Sequence, residues 1–515
     1  MNTENYQMFT LTAIQLLAVT HVSTMKNNKS IAIFQEVIED LNKLSGDGLE
    51  LSVCGDKKVF NGYLAFFLGD TPALNWLGGF KETCSKAFKF CRTCDIQHGE
   101  IHLNDSKLKY RQLKTHLIRL GRMKRAKTEI ETKKLSKLYG INYESFLLKI
   151  NYFDLCKCLL QDPMHVLYEG VCHDELACFF EILIRIEKII SLEQLNDMIK
   201  KFHYFKSDKT DIPNEISYNN INQGVFTQTS GQMKTLFHNL PLMIGDLFSK
   251  KNNENWFNFL RLLNIINLTF TFVYNDQTIS DLRNEIANYL KNFRKLYPNH
   301  LLKPKHHFMS HFPNQMRLFG PLRLHATMRL ESKNGLVKSH KFKNFVNISK
   351  SVSFRQEYWI VSKRVDKEWN DKDNFLSKGI EIRNLIESSD SDFCEHYNFK
   401  VENNLFTAEQ IKINGFTYDI GTFLILNDNL NETSNSIGCI EKIFLARDEP
   451  VFKFKFFDIV SFDKAQNVYN IKESRKGFCF KFYKNMIHKQ STLFSIKVSE
   501  TEFLLQIRYF FNLLK

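Results

Sequence analysis

The sequence predicts an α/β core with a large all-α insertion, followed by a small C-terminal β-rich domain. Three observations carry that expectation. The continuous apolar run Tyr63-Leu64-Ala65-Phe66-Phe67-Leu68 reads as a buried central strand that stops at Gly69-Asp70. From about 105 to 300, apolar residues recur at helical steps. Residues 406–515 hold short alternating or apolar runs separated by turn signals, as in a small barrel or sandwich. A length of 515 residues calls for two or three domains. The predicted divisions are 1–104 and 301–385 for the two parts of the core, 105–300 for the insertion, 386–405 for a linker and 406–515 for the β-rich domain.

In chain order, residues 6–45 read as helical from Ile14, Leu17 and Val19 and then Ile33, Val37 and Leu41. Leu49, Leu51 and Val53, a Gly55-Asp56 turn and Val59 to Leu68 predict a hairpin whose second arm is the buried strand. After Asp70, Thr71 suits a helix cap and Pro72 the first helical position. Gln161-Asp162-Pro163 opens a helix, and Leu176 to Ile190 and Trp256 to Phe272 supply two more. Ser388-Ser389-Asp390-Ser391-Asp392 marks the linker. Beyond it, strands are expected at 411–413, 416–425, 451–457 and 478–482.

The N-terminus lacks a basic leader, and the apolar stretch Leu176 to Ile190 is broken by Glu181, Arg185 and Glu187. A soluble intracellular protein without a membrane partner is expected. Eleven cysteines, an odd count without a small-domain framework, fit free thiols plus one metal site rather than disulfides. The net charge of +14 is unevenly spread, with twelve Lys or Arg between Lys107 and Lys137 against only Glu129 and Glu131. Lys107, Lys109, Arg111, Lys114, Arg119, Arg122, Lys124 and Arg125 form a stripe suited to phosphate contact, with a solvated helix face as the competing reading, and Arg329, Lys333 and Lys338 are expected to add further nucleic-acid contacts.

Four constellations carry chemistry. Cys91-x-x-Cys94 has the spacing with which two thiolates grip one tetrahedral ion. His306, His307 and His311 add imidazoles; on an ideal helix His307 shares a face with His311, while His306 is rotated away. Taken alone, this pattern fits zinc and fits free thiols beside surface histidines equally well. Asp70, at the end of the apolar run, is either a metal-binding acid or a helix cap. Asp162-Pro163-Met164-His165 reads as a capped helix start, and Glu331 lies among bases that include Arg329, Lys333 and Lys338, the usual setting of a surface ion pair.

Taken together, these pieces resemble animal transposases of the CACTA-related group. Gly69-Asp70-Thr71-Pro72-Ala73, Gly78-Gly79-Phe80-Lys81 and Cys91-x-x-Cys94 are similar to the region of their second aspartate. Gln161-Asp162-Pro163-Met164-His165 with Leu167-Tyr168-Glu169-Gly170 resembles their D-x-M-H element. Pro304-Lys305-His306-His307, His311-Phe312-Pro313, Phe319-Gly320-Pro321-Leu322 and Met328 to Lys333 resemble their third-acid region. The resemblance covers roughly residues 10–365, with the motifs in the family's order.

It implies an RNase H-like core with a helical insertion before the last acid. Asp70 and Glu331 would be the second and third metal-binding acids, with Asp162 and His165 near the active site. Cys91, Cys94, His306 and His311 would hold structural zinc as in the V(D)J recombinase catalytic subunit, whose H-x4-H spacing favours His306 over His307. The family's chemistry uses three acids to hold two Mg²⁺ ions about 4 Å apart for DNA cleavage and strand transfer. No stretch here resembles the family's first catalytic aspartate, Asp56 reading as a hairpin-turn residue, so the first core strand is expected to be missing. The expected protein is a nuclear, transposase-derived binder of double-stranded DNA, with a homodimer as a candidate assembly and little or no cleavage activity. An in-frame upstream extension carrying the aspartate would instead make it an active enzyme. A protein-interaction module built on the β-rich domain is the third reading.

Overall fold

The structure, a computed structural model, describes residues 17, 30–101, 108–250, 252–271, 274–338, 347–370, 380–388, 390–397, 405–413, 416–426, 436–446, 449–486, 493–499 and 501–508. Helix dominates the chain up to Asn370, and the remainder is rich in antiparallel sheet. No described helix is long and apolar enough to cross a membrane. Of the helix predicted over 6–45, Ser30–Gly46 is present; the part before Ser30, apart from Leu17, lies outside the described residues.

The hairpin forms as β1 (Leu49–Val53) paired with β2 (Asp56–Phe60), and every residue of both strands is exposed. The run Tyr63 to Leu68 is not a buried central strand, and among the described residues no sheet of more than two strands occurs before Ile380. Phe67 alone makes a parallel bridge, its N–H donating to the Cys158 carbonyl at 2.8 Å and its carbonyl accepting from Leu160 at 3.3 Å. The run is only half-buried, with Tyr63 and Ala65 exposed. The Phe67 ring meets Phe153 edge-on, and Phe66 meets Phe319 and His325.

Two helical cores follow, and they do not divide at residue 105. One joins Ile38, Leu74 and Phe80 to Leu120, Tyr139, Phe146 and Leu159. The larger joins Phe90 and Cys91 to the helices from Met164 to Leu322. Its chain includes two π-helical stretches, Leu167–Val171 and Glu181–Ile186, on either side of the helix Cys172–Phe180.

Within the larger core, fully buried Glu175 accepts hydrogen bonds from Tyr289 Oη at 2.8 Å and Tyr297 Oη at 3.2 Å. Burial raises its carboxyl to about 7, against the lowering effect of the tyrosine and Asn258 hydrogen bonds. The folded state therefore binds a proton more tightly than the unfolded state. The associated stability is present below pH 4.5 and is lost as pH rises through about 7, a change of about 3 kcal/mol. Glu175→Gln is expected to gain that amount on the wild type between pH 4.5 and 8, measured as the difference in urea-unfolding free energy. A constant difference would contradict the assignment.

The β-rich expectation for the C-terminal region holds. One sheet runs β12 (Leu493–Lys497), β13 (Glu502–Ile507), β11 (Val468–Phe482), β10 (Glu449–Asp463), β9 (Ile437–Ala446), β5 (Leu405–Ala408) and β4 (Ile386–Glu387), with β8 (Phe423–Ile425) also paired to β9. A three-stranded sheet of β3 (Ile380–Arg383), β6 (Gln410–Ile413) and β7 (Phe416–Asp419) packs against it through Ile411, Tyr418, Ile440 and Phe452. The predicted linker is partly structured. Asp390 caps the helix Ser391–Tyr397, and Phe393 is completely buried against Phe444 and Phe480. This unit is latched to the helices, Trp256 donating its indole N–H to the Ala465 carbonyl at 3.1 Å.

Candidate metal centre and the neighbouring polar site

Cys91 and Cys94 lie on an irregular turn flanked by isolated bridges, Lys89 to Gln97 and Cys94 to Tyr110. Opposite them, the chain from Pro304 to Phe319 is helical, tightening to a 3₁₀ turn at Met309–His311. The two segments meet at a buried group of four, Cys91, Cys94, His307 and His311, whose ligand atoms all lie within 4.8 Å of one another. Cys91 Sγ is 3.3 Å from His311 Nε2, Cys94 Sγ is 3.2 Å from His307 Nε2, and the two Nε2 atoms are 3.0 Å apart. Tetrahedral zinc with ordinary bond lengths has sulfur–nitrogen edges of about 3.5 Å, so the donors need to spread by only a few tenths of an ångström. Both Nδ1 atoms are buried without a hydrogen-bond partner, leaving Nε2 as the ligating atom of each ring. This cluster can hold a structural metal ion.

His306 is not part of the group. Its Nδ1 accepts from the Lys303 backbone N–H at 3.1 Å, and its ring packs on Phe293. The fourth candidate donor is His307 because it stands one turn before His311 on the same helix face.

Arg111 and Arg119 are also not surface cations. Arg111 is buried; its Nε donates to the Cys91 carbonyl at 2.8 Å and its Nη2 to the Lys89 and Tyr139 carbonyls at 3.0 Å. Arg119 is bidentate on Asp95 at 2.6 and 2.5 Å. Burial opposes ionisation of Asp95, but Arg119, Arg111 and Lys89 together hold its carboxyl below the usual range. These arginines brace the cysteine turn from behind. Lys333 is buried too, its Nζ 3.7 Å from the Trp359 ring centre. Lys109, Lys114, Arg122, Lys124, Arg125 and Arg329 are exposed. Lys107 lies outside the described residues, and Lys338 ends the helix Met328–Lys338.

Above the cluster the structure joins Asp162, His165 and Glu331. Asp162 caps the helix Pro163–Val166 by accepting from Met164 N–H at 3.1 Å. It also accepts from Thr327 Oγ1 at 2.5 Å and Thr327 N–H at 3.2 Å, and pairs closely with His165 Nδ1. His165 Nε2 then faces Glu331 Oε1 at 3.4 Å and Glu169 Oε2 at 3.7 Å. Burial works against protonating His165, but Asp162 above all, with Glu169 and Glu331, raises its pKa above the usual imidazole value.

Asp70 stands outside this group. Its carboxylate accepts from Ala73 N–H at 2.7 Å and is itself the cap of Thr71–Leu77, with Pro72 in the first turn; Thr71 is inside the helix. Glu169, quoted above only within a motif, and Thr327 and Gln315, not singled out in the sequence, complete the site. Gln315 exchanges hydrogen bonds with the Gln161 backbone at 3.0 Å in both directions, and Gln161 Nε2 reaches Thr93 Oγ1 at 3.0 Å. The metal cluster and the polar site are thus linked through one run of buried amides. No protein-family model and no curated protein matches this chain.

Proposed function

We propose that this chain is a transposase-derived DNA-binding protein whose cysteine turn and histidine helix are held together by one zinc ion, and that it acts in the nucleus. The observation that carries the reading is the convergence of distant motifs. The CxxC turn meets His307 and His311 more than 200 positions away, and Asp162-x-x-His165 meets the helix of Glu331. Two thiolates and two imidazoles form a donor set suited to zinc, which would serve as a structural cross-link. The catalytic Mg²⁺ implied by the resemblance would have Asp70 and Glu331 as two of three acids, and these 515 residues carry no counterpart of the other. Cleavage is therefore expected to be absent from the chain as written.

The exposed cations Lys114, Arg122, Lys124, Arg125 and Arg329 would supply the phosphate contacts. Affinity for double-stranded DNA is expected to fall steeply with salt. Replacing Arg122, Lys124 and Arg125 by glutamine should reduce the log–log salt slope by about 0.9 for each phosphate no longer neutralised. Salt-independent affinity, measured by fluorescence anisotropy, would count against nucleic-acid binding. Mg²⁺-dependent nicking abolished by Asp70→Ala would overturn the inactive reading.

A further inference from the structure

We infer that the crevice between the helix Glu254–Thr269 and the β10–β11 hairpin is a binding site for one adenine nucleotide. It shares no residue with the cysteine–histidine cluster or the polar site beside it, and it does not depend on DNA binding. The crevice is an open cavity of about 460 Å³. That volume lies toward the low end of the range for small-molecule sites, roughly 300–1,000 Å³, and such sites favour the seams between structural units. One wall is a single face of the helix, where Phe257, Leu260, Arg261 and Asn264 recur at three- and four-residue steps. The other is the end of the hairpin. There Phe462 is joined by Lys464 and Asn467, the first and last residues of the turn between Asp463 and Val468. The turn is pinned in place. Asp463 Oδ1 accepts from the Ala465 and Gln466 N–H groups at 2.8 and 3.0 Å, and Gln466 Nε2 donates to Asp246 Oδ1 at 2.8 Å.

The polar groups of this cavity are left unsatisfied by the fold. The side chains of Asn264, Lys464 and Asn467 make no hydrogen bond or ion pair among the described residues. Glu285 engages Arg261 through Nε at 3.0 Å, and the terminal guanidinium nitrogens make no hydrogen bond among the described residues, so they can fork onto an oxyanion. Arg261 and Lys464 against Glu285 leave one positive charge in the cavity, the complement of a phosphate. A carboxamide presents a donor and an acceptor side by side, the pattern that pairs with N6 and N7 of adenine. Phe257, 37% exposed, with Leu260 and Phe462, supplies apolar faces for the base. An adenine among those side chains, with its phosphate on Arg261 and Lys464, gives a partner to each unsatisfied group.

The test uses the full chain, without DNA, and AMP as the probe. Isothermal titration calorimetry is expected to show one AMP per chain, with adenosine and ribose 5-phosphate each at least tenfold weaker. Lys464→Gln and Asn264→Ala remove side chains that have no partner to lose, so folding should be unaffected. Each is expected to weaken AMP binding at least tenfold, whereas Lys200→Gln, on the exposed side of the helix Leu192–Lys201, should bind as the wild type does. AMP should also slow amide hydrogen exchange across the turn from Asp463 to Tyr469. Absence of AMP binding in the wild type, or wild-type affinity in either cavity variant, overturns the site. A ten-nucleotide oligodeoxyadenylate that binds more tightly than AMP, and is weakened by the same variants, would overturn the mononucleotide assignment in favour of a single strand. Failure of double-stranded DNA binding bears only on the DNA reading.

Discussion

His307→Ala is expected to strip the proposed zinc from the protein and collapse the region around it, whereas His306→Ala keeps the proposed metal. Both histidines are fully buried, so both substitutions destabilise; metal content, not stability alone, separates them. Without His306 the chain loses a ring packed on Phe293 and an acceptor for the Lys303 N–H, a cost on the order of 2 kcal/mol. Without His307 the ion keeps two thiolates and one imidazole beside a fresh cavity. Structural zinc sites return roughly 10–16 kcal/mol of apparent binding energy to folding. Loss of one ligand should therefore weaken zinc retention by a hundredfold or more and leave the Cys91–Cys94 turn untethered from the helix at His311. Dialysis against a mild chelator followed by elemental analysis decides the matter. One zinc per chain in His307→Ala and none in His306→Ala would falsify the ligand set.

How much of this site was legible follows from the range of each interaction. The pair His307 and His311 could be read from helical geometry, since positions four apart share a face. The family resemblance, with its longer histidine spacing, pointed to His306 instead, and the local helix decides against it. Asp162 as a cap was legible from Asp-Pro alone, because a cap is satisfied within two residues. Thr327 and Gln315 were not, because their partners lie 165 and 154 positions away and only the packed fold unites them. Glu169 stood in the quoted motif one helical turn after His165 but was given no role there, and the π-helical turn that carries it leaves no periodic mark.

The fold shows the same division. Long apolar helices, such as Glu254–Thr269, and the apolar C-terminal strands were readable. The run Tyr63 to Leu68 misled because an apolar stretch does not fix its own pairing; here it makes one bridge and half-buried ring contacts, and no strand. Charge grouping failed at Arg111, Arg119 and Lys333 for a related reason. A sequence stripe is one-dimensional, while Asp95, the carbonyls of the cysteine turn and the Trp359 ring draw those three cations inward.

Arg508→Met is expected to cost about 3–5 kcal/mol, because it leaves a buried carboxylate without its cation. The side chains of Arg508 and Asp208 are 1% and 4% exposed. The guanidinium Nη1 meets both Asp208 oxygens at 2.8–2.9 Å, Nη2 donates to Asn239 Oδ1 at 2.9 Å, and the ring of Phe494 lies 4.1 Å from its centre. Asp208 would keep the Asn239 amide but lose the charge that holds its pKa down against burial. Since that pKa is depressed, the stability it contributes is present above about pH 3.8 and is lost as pH falls through the folded value. The pair sits where β13 ends, beside the bond from Gln506 Nε2 to the His238 carbonyl, so its removal loosens the β-rich unit from the helix Ser230–Ile244. Faster hydrogen exchange in β13 and at the N–H groups of Asn239 and its neighbours is the direct readout. Asp208→Leu combined with Arg508→Met removes both charges and should recover most of the stability, since a buried ion pair replaced by apolar groups is often near neutral. Equal destabilisation in the single and double variants would mean that the cost comes from poorer packing on Phe494 and Phe205, not from an orphaned charge.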